Sequence, residues 1–84
     1  PILIVGLTPS SVNFITTTRH EKHRNLKVVG IIDEVTNVGR EINGIEVLGT
    51  LENLPRVVAY LTKKNKKPGK ILVSAELYVG KKLI

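Results

Sequence analysis

The residues that follow the first apolar run have the types and spacing of a phosphate-binding turn. Gly6 ends the run, and Thr8-Pro9-Ser10-Ser11 supplies three hydroxyl groups and a proline suited to the first position of a helix. Backbone N–H groups and the dipole at a helix start favour an anion, and hydroxyl groups add further donors. We therefore expect a bound nucleotide to place its phosphate against this turn, on Gly6, Leu7, Thr8, Ser10 and Ser11.

Asp33 is the other residue with a predicted role in binding. It follows the apolar run 27–32 and lies 22 residues beyond Ser11. Dinucleotide-binding folds place a carboxylate at about this distance, where it accepts a hydrogen bond from a ribose hydroxyl. The glycine pattern GxGxxG is incomplete, because Thr8 and Ser11 occupy its second and third glycine positions. The alternative is an ordinary helix cap, with Asp33 as a turn residue.

Two patterns that resemble catalytic motifs are interpreted as accidental. Tyr60 with Lys64, and Tyr78 with Lys82, match the YxxxK spacing of short-chain dehydrogenases, but nine lysines in 84 residues make such pairs common. The segment from His20 to His23 spaces its histidines by three residues rather than the four of the zinc motif HExxH. We therefore predict no catalytic residue and no metal ion in this chain.

Alternating apolar runs and helical patterns predict the framework that positions these residues. Strands are expected at 2–5, 27–32, 47–48 and 70–74, and Asn43-Gly44 is a strong signal for a type I′ hairpin turn. One helix is expected from Pro9 to about Arg24 with Asn25 as its stop, and a second with Thr50 as its N-cap, ending in the lysine-rich run 63–69. Strands alternating with helices form parallel sheets, so we predict a Rossmann-like α/β fold of about four parallel strands.

Length and composition limit the chain to one small domain. It has 84 residues, of which 42% are apolar and 24% charged, and no cysteine. No apolar run approaches the roughly 20 residues that span a bilayer, so a membrane segment would have to lie outside these residues. The absence of methionine, and a final segment 80–84 typical of an interrupted helix, predict that the chain is part of a larger protein.

The net charge of +6 arises mainly from two basic groups, each at the end of a predicted helix. They are Arg19, His20, Lys22, His23 and Arg24, and Lys63, Lys64, Lys66 and Lys67. Cations complement the dipole at a helix end, which explains either group by itself. Few aromatic residues are present, which argues against nucleic-acid binding. The topology predicts that both basic groups lie at the edge of the sheet where the strands begin, opposite the ligand site. A membrane segment preceding β-strand 2–5 would bring this edge close to anionic headgroups.

A family resemblance rests on four segments of the chain. They are Leu3-Ile-Val-Gly6, Val28-Val-Gly-Ile-Ile-Asp33, Gly39-Arg-Glu-Ile-Asn-Gly-Ile-Glu-Val-Leu-Gly-Thr50 and Leu54-Pro55. In this order they resemble the Rossmann-like domain of bacterial polysaccharide biosynthesis proteins of the CapD type. That family comprises membrane-bound nucleotide-sugar dehydratases and epimerases, together with sugar-phosphate transferases that share the domain.

The resemblance implies a non-catalytic, nucleotide-binding domain of a capsule or polysaccharide enzyme at the cytoplasmic face of the bacterial inner membrane. Its implied ligand is NAD(P), CoA or a nucleotide sugar, and it leaves a homo-oligomer open. Gly6 and Asp33 match the family's turn and strand tip, whereas Thr8 replaces a usual second glycine. The alternative is a scaffold that has lost its ligand and serves regulation or oligomerisation.

Overall fold

The polypeptide folds as an α/β sheet structure whose elements follow the apolar runs closely. The computed structural model describes residues 1–21 and 27–74. Its elements are β1 (Ile2–Val5), α1 (Pro9–Glu21), β2 (Val28–Ile32), β3 (Glu41–Ile42), β4 (Ile45–Gly49), α2 (Leu54–Lys63) and β5 (Lys70–Val73), with 3-10 turns at Val35–Asn37 and Leu51–Asn53. The strand order is β3-β4-β2-β1-β5.

The sheet is mixed rather than wholly parallel, which corrects the prediction of about four parallel strands. β1, β2, β4 and β5 are parallel, and β3 is a fifth strand that pairs antiparallel with β4. Asn43 and Gly44 have φ values of 52° and 85°, the left-handed conformation that both central residues of a type I′ turn require. A two-residue turn can join only antiparallel neighbours, so the predicted hairpin adds a strand of opposite direction.

The helices begin where the cap residues predict, with one difference. Thr50 was predicted as the N-cap of the second helix; it caps the 3-10 turn Leu51–Asn53, and α2 starts at Leu54. Pro55 has no N–H group for an α-helical bond to the preceding turn, so the chain enters α2 through the 3-10 turn. The predicted stop at Asn25 and the final segment 80–84 lie outside the described residues.

The core consists of two layers, one on each face of β1. On one face Ile2 and Ile4 pack with Ile15 of α1. On the other face the alternate residues of β1 pack with α2 and β2, in a cluster of Leu3, Val5, Ile32, Val57 and Leu61. Because successive side chains of a strand point to opposite faces, β1 supplies both layers. One helix therefore covers each face of the sheet.

β5 lies at the edge of the sheet and is exposed on both faces. Ile71, Leu72 and Val73 are 44%, 39% and 38% exposed, although their partners in β1 are buried. Its apolar sequence predicts burial on both faces. The structure differs because β5 is the last strand of the described sheet, paired with β1 on one side only, and neither core cluster includes its residues.

The difference between centre and edge predicts unequal costs of truncation. Leu3→Ala should lower the free energy of unfolding by about 2 to 5 kcal/mol, because it leaves a cavity in a fully buried layer. Leu72→Ala removes the same atoms from the exposed edge and should cost about 1 kcal/mol. Urea denaturation of both variants measures the two costs. Equal losses would contradict the assignment of β5 as an uncovered edge.

Candidate functional site

The carboxyl ends of the parallel strands meet at one edge of the sheet and enclose an open cleft. The cleft has a volume of about 740 Å³, and its walls are the segments 5–7 after β1, 32–37 after β2 and 50–52 after β4. Of the predicted site residues, Gly6, Leu7 and Asp33 line it. Thr8 and Ser10 line a neighbouring surface with Arg40, and Ser11 lines a small groove beside β5. The six predicted residues thus lie at the same edge of the sheet but line three neighbouring cavities.

Gly6 makes the tight turn that joins β1 to α1. It is buried and has φ of 98°, a left-handed conformation that side chains disfavour. Its N–H donates to the Ile32 carbonyl at 2.7 Å, and its carbonyl accepts a hydrogen bond from the Ser11 hydroxyl at 2.8 Å. The turn is therefore held to β2 on one side and to α1 on the other.

Thr8 and Ser11 form a reciprocal cap at the start of α1. The Thr8 N–H donates to the Ser11 Oγ at 2.8 Å, and the Ser11 N–H donates to the Thr8 Oγ1 at 3.3 Å. This is the geometry of a capping box, with serine in place of the usual glutamate or glutamine. Hydroxyl groups that the sequence suggested as ligand donors therefore contact the backbone of their own loop.

A second hydroxyl pair spans the point where the strand order reverses. The chain passes from β1 to β2 on one side and returns to β5 on the other. At that point the Thr8 Oγ1 and Ser74 Oγ atoms are 2.7 Å apart, and the Ser74 N–H donates to the Val5 carbonyl at 3.0 Å. Ligands of open α/β sheets bind at such a reversal. Here a hydrogen bond joins its two loops directly.

Asp33 reaches back from β2 to the β1–α1 turn. Its Oδ1 accepts a hydrogen bond from the Leu7 N–H at 3.0 Å, and its Oδ2 accepts one from the Asn37 amide at 2.6 Å. The Asn37 Oδ1 in turn accepts a hydrogen bond from the Arg40 guanidinium at 3.1 Å. Sequence reasoning missed Asn37 and Arg40. The spacing of Asn37 four residues after Asp33, in the segment between two predicted strands, was the available signal.

These contacts change what the turn can offer a phosphate. The N–H groups of Leu7, Thr8 and Ser11 each have an acceptor within the protein, and Pro9 has no N–H group. The Asp33 carboxylate also brings negative charge to the Leu7 amide. A phosphate could bind this amide only if Asp33 released it.

The cleft itself combines carboxylates with apolar side chains. Asp33, Glu34 and Glu52 line it, whereas no described lysine or arginine does. Val35 and Leu51, on segments that follow different strands, are 73% and 61% exposed. Such a cleft suits a flat, largely apolar group that carries hydroxyl donors. It does not suit a phosphate at its centre, because no positive side chain balances the carboxylates.

The motifs interpreted as accidental lie away from this cleft or outside the described part of the chain. The Lys64 Nζ lies 5.6 Å from the centre of the Tyr60 ring, a cation–π contact near the end of α2. Tyr78, Lys82 and His23 are outside the described residues. Within 1–21 and 27–74, no cluster of three histidine, cysteine or carboxylate side chains could hold a metal ion. In the same residues no helix is long and apolar enough to cross a bilayer.

Comparisons of the chain with protein-family models, curated proteins and solved structures find no match. The resemblance to polysaccharide biosynthesis proteins therefore stays a prediction, together with the roles it implies for Gly6 and Asp33. The contacts at the carboxyl edge of the sheet carry the functional proposal.

The cap of α1 predicts that Ser11 contributes more to stability than its neighbour. Ser11→Ala should cost about 1 to 3 kcal/mol, because it removes a buried acceptor for the Thr8 N–H and a donor to the Gly6 carbonyl. Ser10 is exposed and makes neither of these two hydrogen bonds, so Ser10→Ala should cost less than Ser11→Ala. Thermal and urea unfolding of both variants test this. Similar values for the two would show that the cap does not hold the turn.

Proposed function

We propose that this domain binds a nucleotide, with the nucleoside in the cleft at the carboxyl ends of β1, β2 and β4, and catalyses no reaction itself. One observation carries the proposal. The Asp33 carboxylate lies in a cleft of about 740 Å³ whose walls also expose the apolar Val35 and Leu51. A nucleoside offers the matching chemistry, because its base is flat and largely apolar on its faces and its ribose carries hydroxyl donors.

The strand order supports a Rossmann-like organisation. Counted along the chain, the parallel strands are β1, β2, β4 and β5, and across the sheet they lie in the order third, second, first, fourth. This is the order of the first four strands of dinucleotide-binding folds, which bind ribose through a carboxylate after the second strand. Asp33 follows the second strand here.

The phosphate end of the ligand requires a rearrangement within the turn. In the proposed complex Asp33 releases the Leu7 N–H and accepts a ribose hydroxyl instead. The Leu7 amide and the first turn of α1, with Thr8, Ser10 and Ser11, then face the phosphate. Arg40, which lines the surface beside Thr8 and Ser10, supplies a compensating positive charge. Binding therefore exchanges hydrogen bonds within the turn for hydrogen bonds to the ligand.

The ligand classes that fit this description are NAD(P), CoA and nucleotide sugars. The proposal extends to the parent protein, a membrane-associated polysaccharide biosynthesis enzyme whose catalytic centre lies outside these residues. A domain of this kind binds a nucleotide through Gly6, Leu7, Thr8, Ser10, Ser11 and Asp33. Its position would be the cytoplasmic face of the inner membrane, where nucleotide sugars are made.

A second candidate function is a scaffold that binds no ligand and serves regulation or oligomerisation. The hydrogen bonds of Leu7, Thr8 and Ser11 favour it, because a turn with satisfied amides needs no phosphate for its stability. The apolar residues exposed on β5 also offer a surface for another element or a second copy. The two candidates differ in one measurable property, the response of the domain to nucleotides.

A nucleotide that binds this cleft should stabilise the domain and shift amide signals around it. The test is a thermal-shift screen of NAD, NADP, CoA, UDP and UDP-sugars. A true ligand at 100 times its Kd should raise the free energy of unfolding by about 2.7 kcal/mol. Titration followed by NMR should then change the chemical shifts of the backbone amides of Leu7, Thr8, Ser10, Ser11 and Asp33. Shifts confined to the lysine run 63–67 would contradict the proposed site. Failure of every ligand to raise the melting temperature would favour the scaffold.

Asp33 should control affinity for NAD and the choice between NAD and NADP. A carboxylate accepts a hydrogen bond from a ribose 2′-hydroxyl but repels a 2′-phosphate. Asp33→Asn should therefore lower the affinity for NAD by about tenfold and reduce the discrimination against NADP. Isothermal titration calorimetry measures both affinities. Glu46→Gln, the same chemical change at an exposed residue outside the cleft, is the control and should leave both affinities unaltered. If Asp33→Asn behaves like this control, Asp33 is not part of the site.

A further inference from the structure

Six exposed lysines from separate segments meet at the edge of the sheet opposite the cleft. Lys27 precedes β2, Lys70 begins β5, and Lys63, Lys64, Lys66 and Lys67 lie at and beyond the end of α2. The Ile2 N–H donates to the Lys27 carbonyl and the Gly69 N–H to the Pro1 carbonyl, so the starts of three strands lie side by side. We name these six residues the lysine edge.

The end of α2 and the start of β2 also enclose a shallow cavity at this edge. Its volume is about 360 Å³, and Lys27, Lys64 and Lys66 line it together with Tyr60. Glu41 and Glu46 of the β3–β4 hairpin border its other side. The remaining described carboxylates whose side chains are defined, Asp33, Glu34 and Glu52, line the cleft at the opposite edge. Among the described side chains, six lysines against two carboxylates therefore leave this edge with a net positive charge.

Tyr60 indicates which anionic partner this edge fits. Its ring is 50% exposed, and the Lys64 Nζ lies 5.6 Å from the ring centre. Proteins that bind single-stranded nucleic acid stack bases on aromatic faces, but Lys64 already lies over this ring. A tyrosine beside lysines is typical of a membrane interface, where the ring lies at headgroup level and the lysines meet lipid phosphates. The cavity beside Tyr60 offers space for a headgroup.

We propose that the lysine edge docks on the surface of an anionic lipid bilayer. Docking through this edge would orient the cleft at the carboxyl ends of the strands away from the membrane and towards solution. Each lysine near such a surface raises the partition coefficient by about fivefold. Because the lysines are exposed, added salt screens this attraction, with a Debye length of about 8 Å at physiological ionic strength. The inference does not depend on nucleotide binding, since it involves none of the residues at the cleft.

Sedimentation of the chain with vesicles tests the proposal. The vesicles contain either phosphatidylcholine alone or phosphatidylcholine mixed with phosphatidylglycerol, at low salt and at about 0.15 M. Two double variants are compared, Lys66→Gln with Lys67→Gln and Arg40→Gln with Arg56→Gln. Both lower the formal net charge from +6 to +4, but only the first pair belongs to the lysine edge. Arg40 lines the surface beside the start of α1, and Arg56 lies in the first turn of α2.

The unmodified chain should bind the mixed vesicles and not phosphatidylcholine alone. The lysine variant should lose about 25-fold in partition coefficient and the arginine variant less than about twofold. Circular dichroism and thermal unfolding confirm that both variants fold. Equal losses of partition coefficient in the two variants would show that binding depends on net charge alone, and would overturn the proposal. Binding that ignores lipid charge would overturn it as well. So would release of the protein from vesicles by duplex DNA at equal phosphate concentration, which would identify nucleic acid as the preferred partner.

Discussion

The complete enclosure of β1 is the constraint on which the rest of the structure depends. Its residues Ile2 to Val5 are at most 4% exposed, and it pairs with β2 on one side and β5 on the other. Burying each large aliphatic side chain contributes roughly 1.5 to 3 kcal/mol, so this strand contributes a large share of the hydrophobic stabilisation. Both of its faces must be covered by helices. In the described part of the chain, one helix crosses each face of the sheet, and the cleft and the lysine edge lie at opposite ends of the strands.

The parallel arrangement also places the six described lysines and three of the described carboxylates at opposite edges of the sheet. Strand starts and the end of α2 share one edge, which carries the lysines, and strand ends share the other, which carries Asp33, Glu34 and Glu52. Cations at a helix end and an acidic residue after a strand each have a local explanation. Their combination makes a domain with two chemically different ends. The two proposed ligands, a nucleotide at one end and an anionic surface at the other, would therefore use different side chains.

In the β1–α1 turn, hydrogen bonds within the protein occupy the groups that the proposed phosphate site would use. The Thr8 and Ser11 hydroxyls and the Asp33 carboxylate bind the amides that a phosphate would use. Each of these bonds makes the ligand-free turn more stable, and each lowers the net gain from binding because it must be replaced. A pair of glycines in place of Thr8 and Ser11 would leave the amides available but would remove the cap. The balance between these effects separates a binding domain from a scaffold.

Local pattern by itself determined much of this protein. Four local patterns predict elements that the structure contains, because each depends on neighbours in sequence. They are the mostly β-branched run Ile2–Val5, the cap residues before α1, the Asn43-Gly44 turn and the periodicity of α2. The tertiary structure alone decided which distant residues form hydrogen bonds at the candidate site. The Leu7–Asp33 and Thr8–Ser74 hydrogen bonds join residues 26 and 66 positions apart. The alignment of strands selects which distant acceptor meets each donor, and their order leaves β5 uncovered, so no local pattern contains either result.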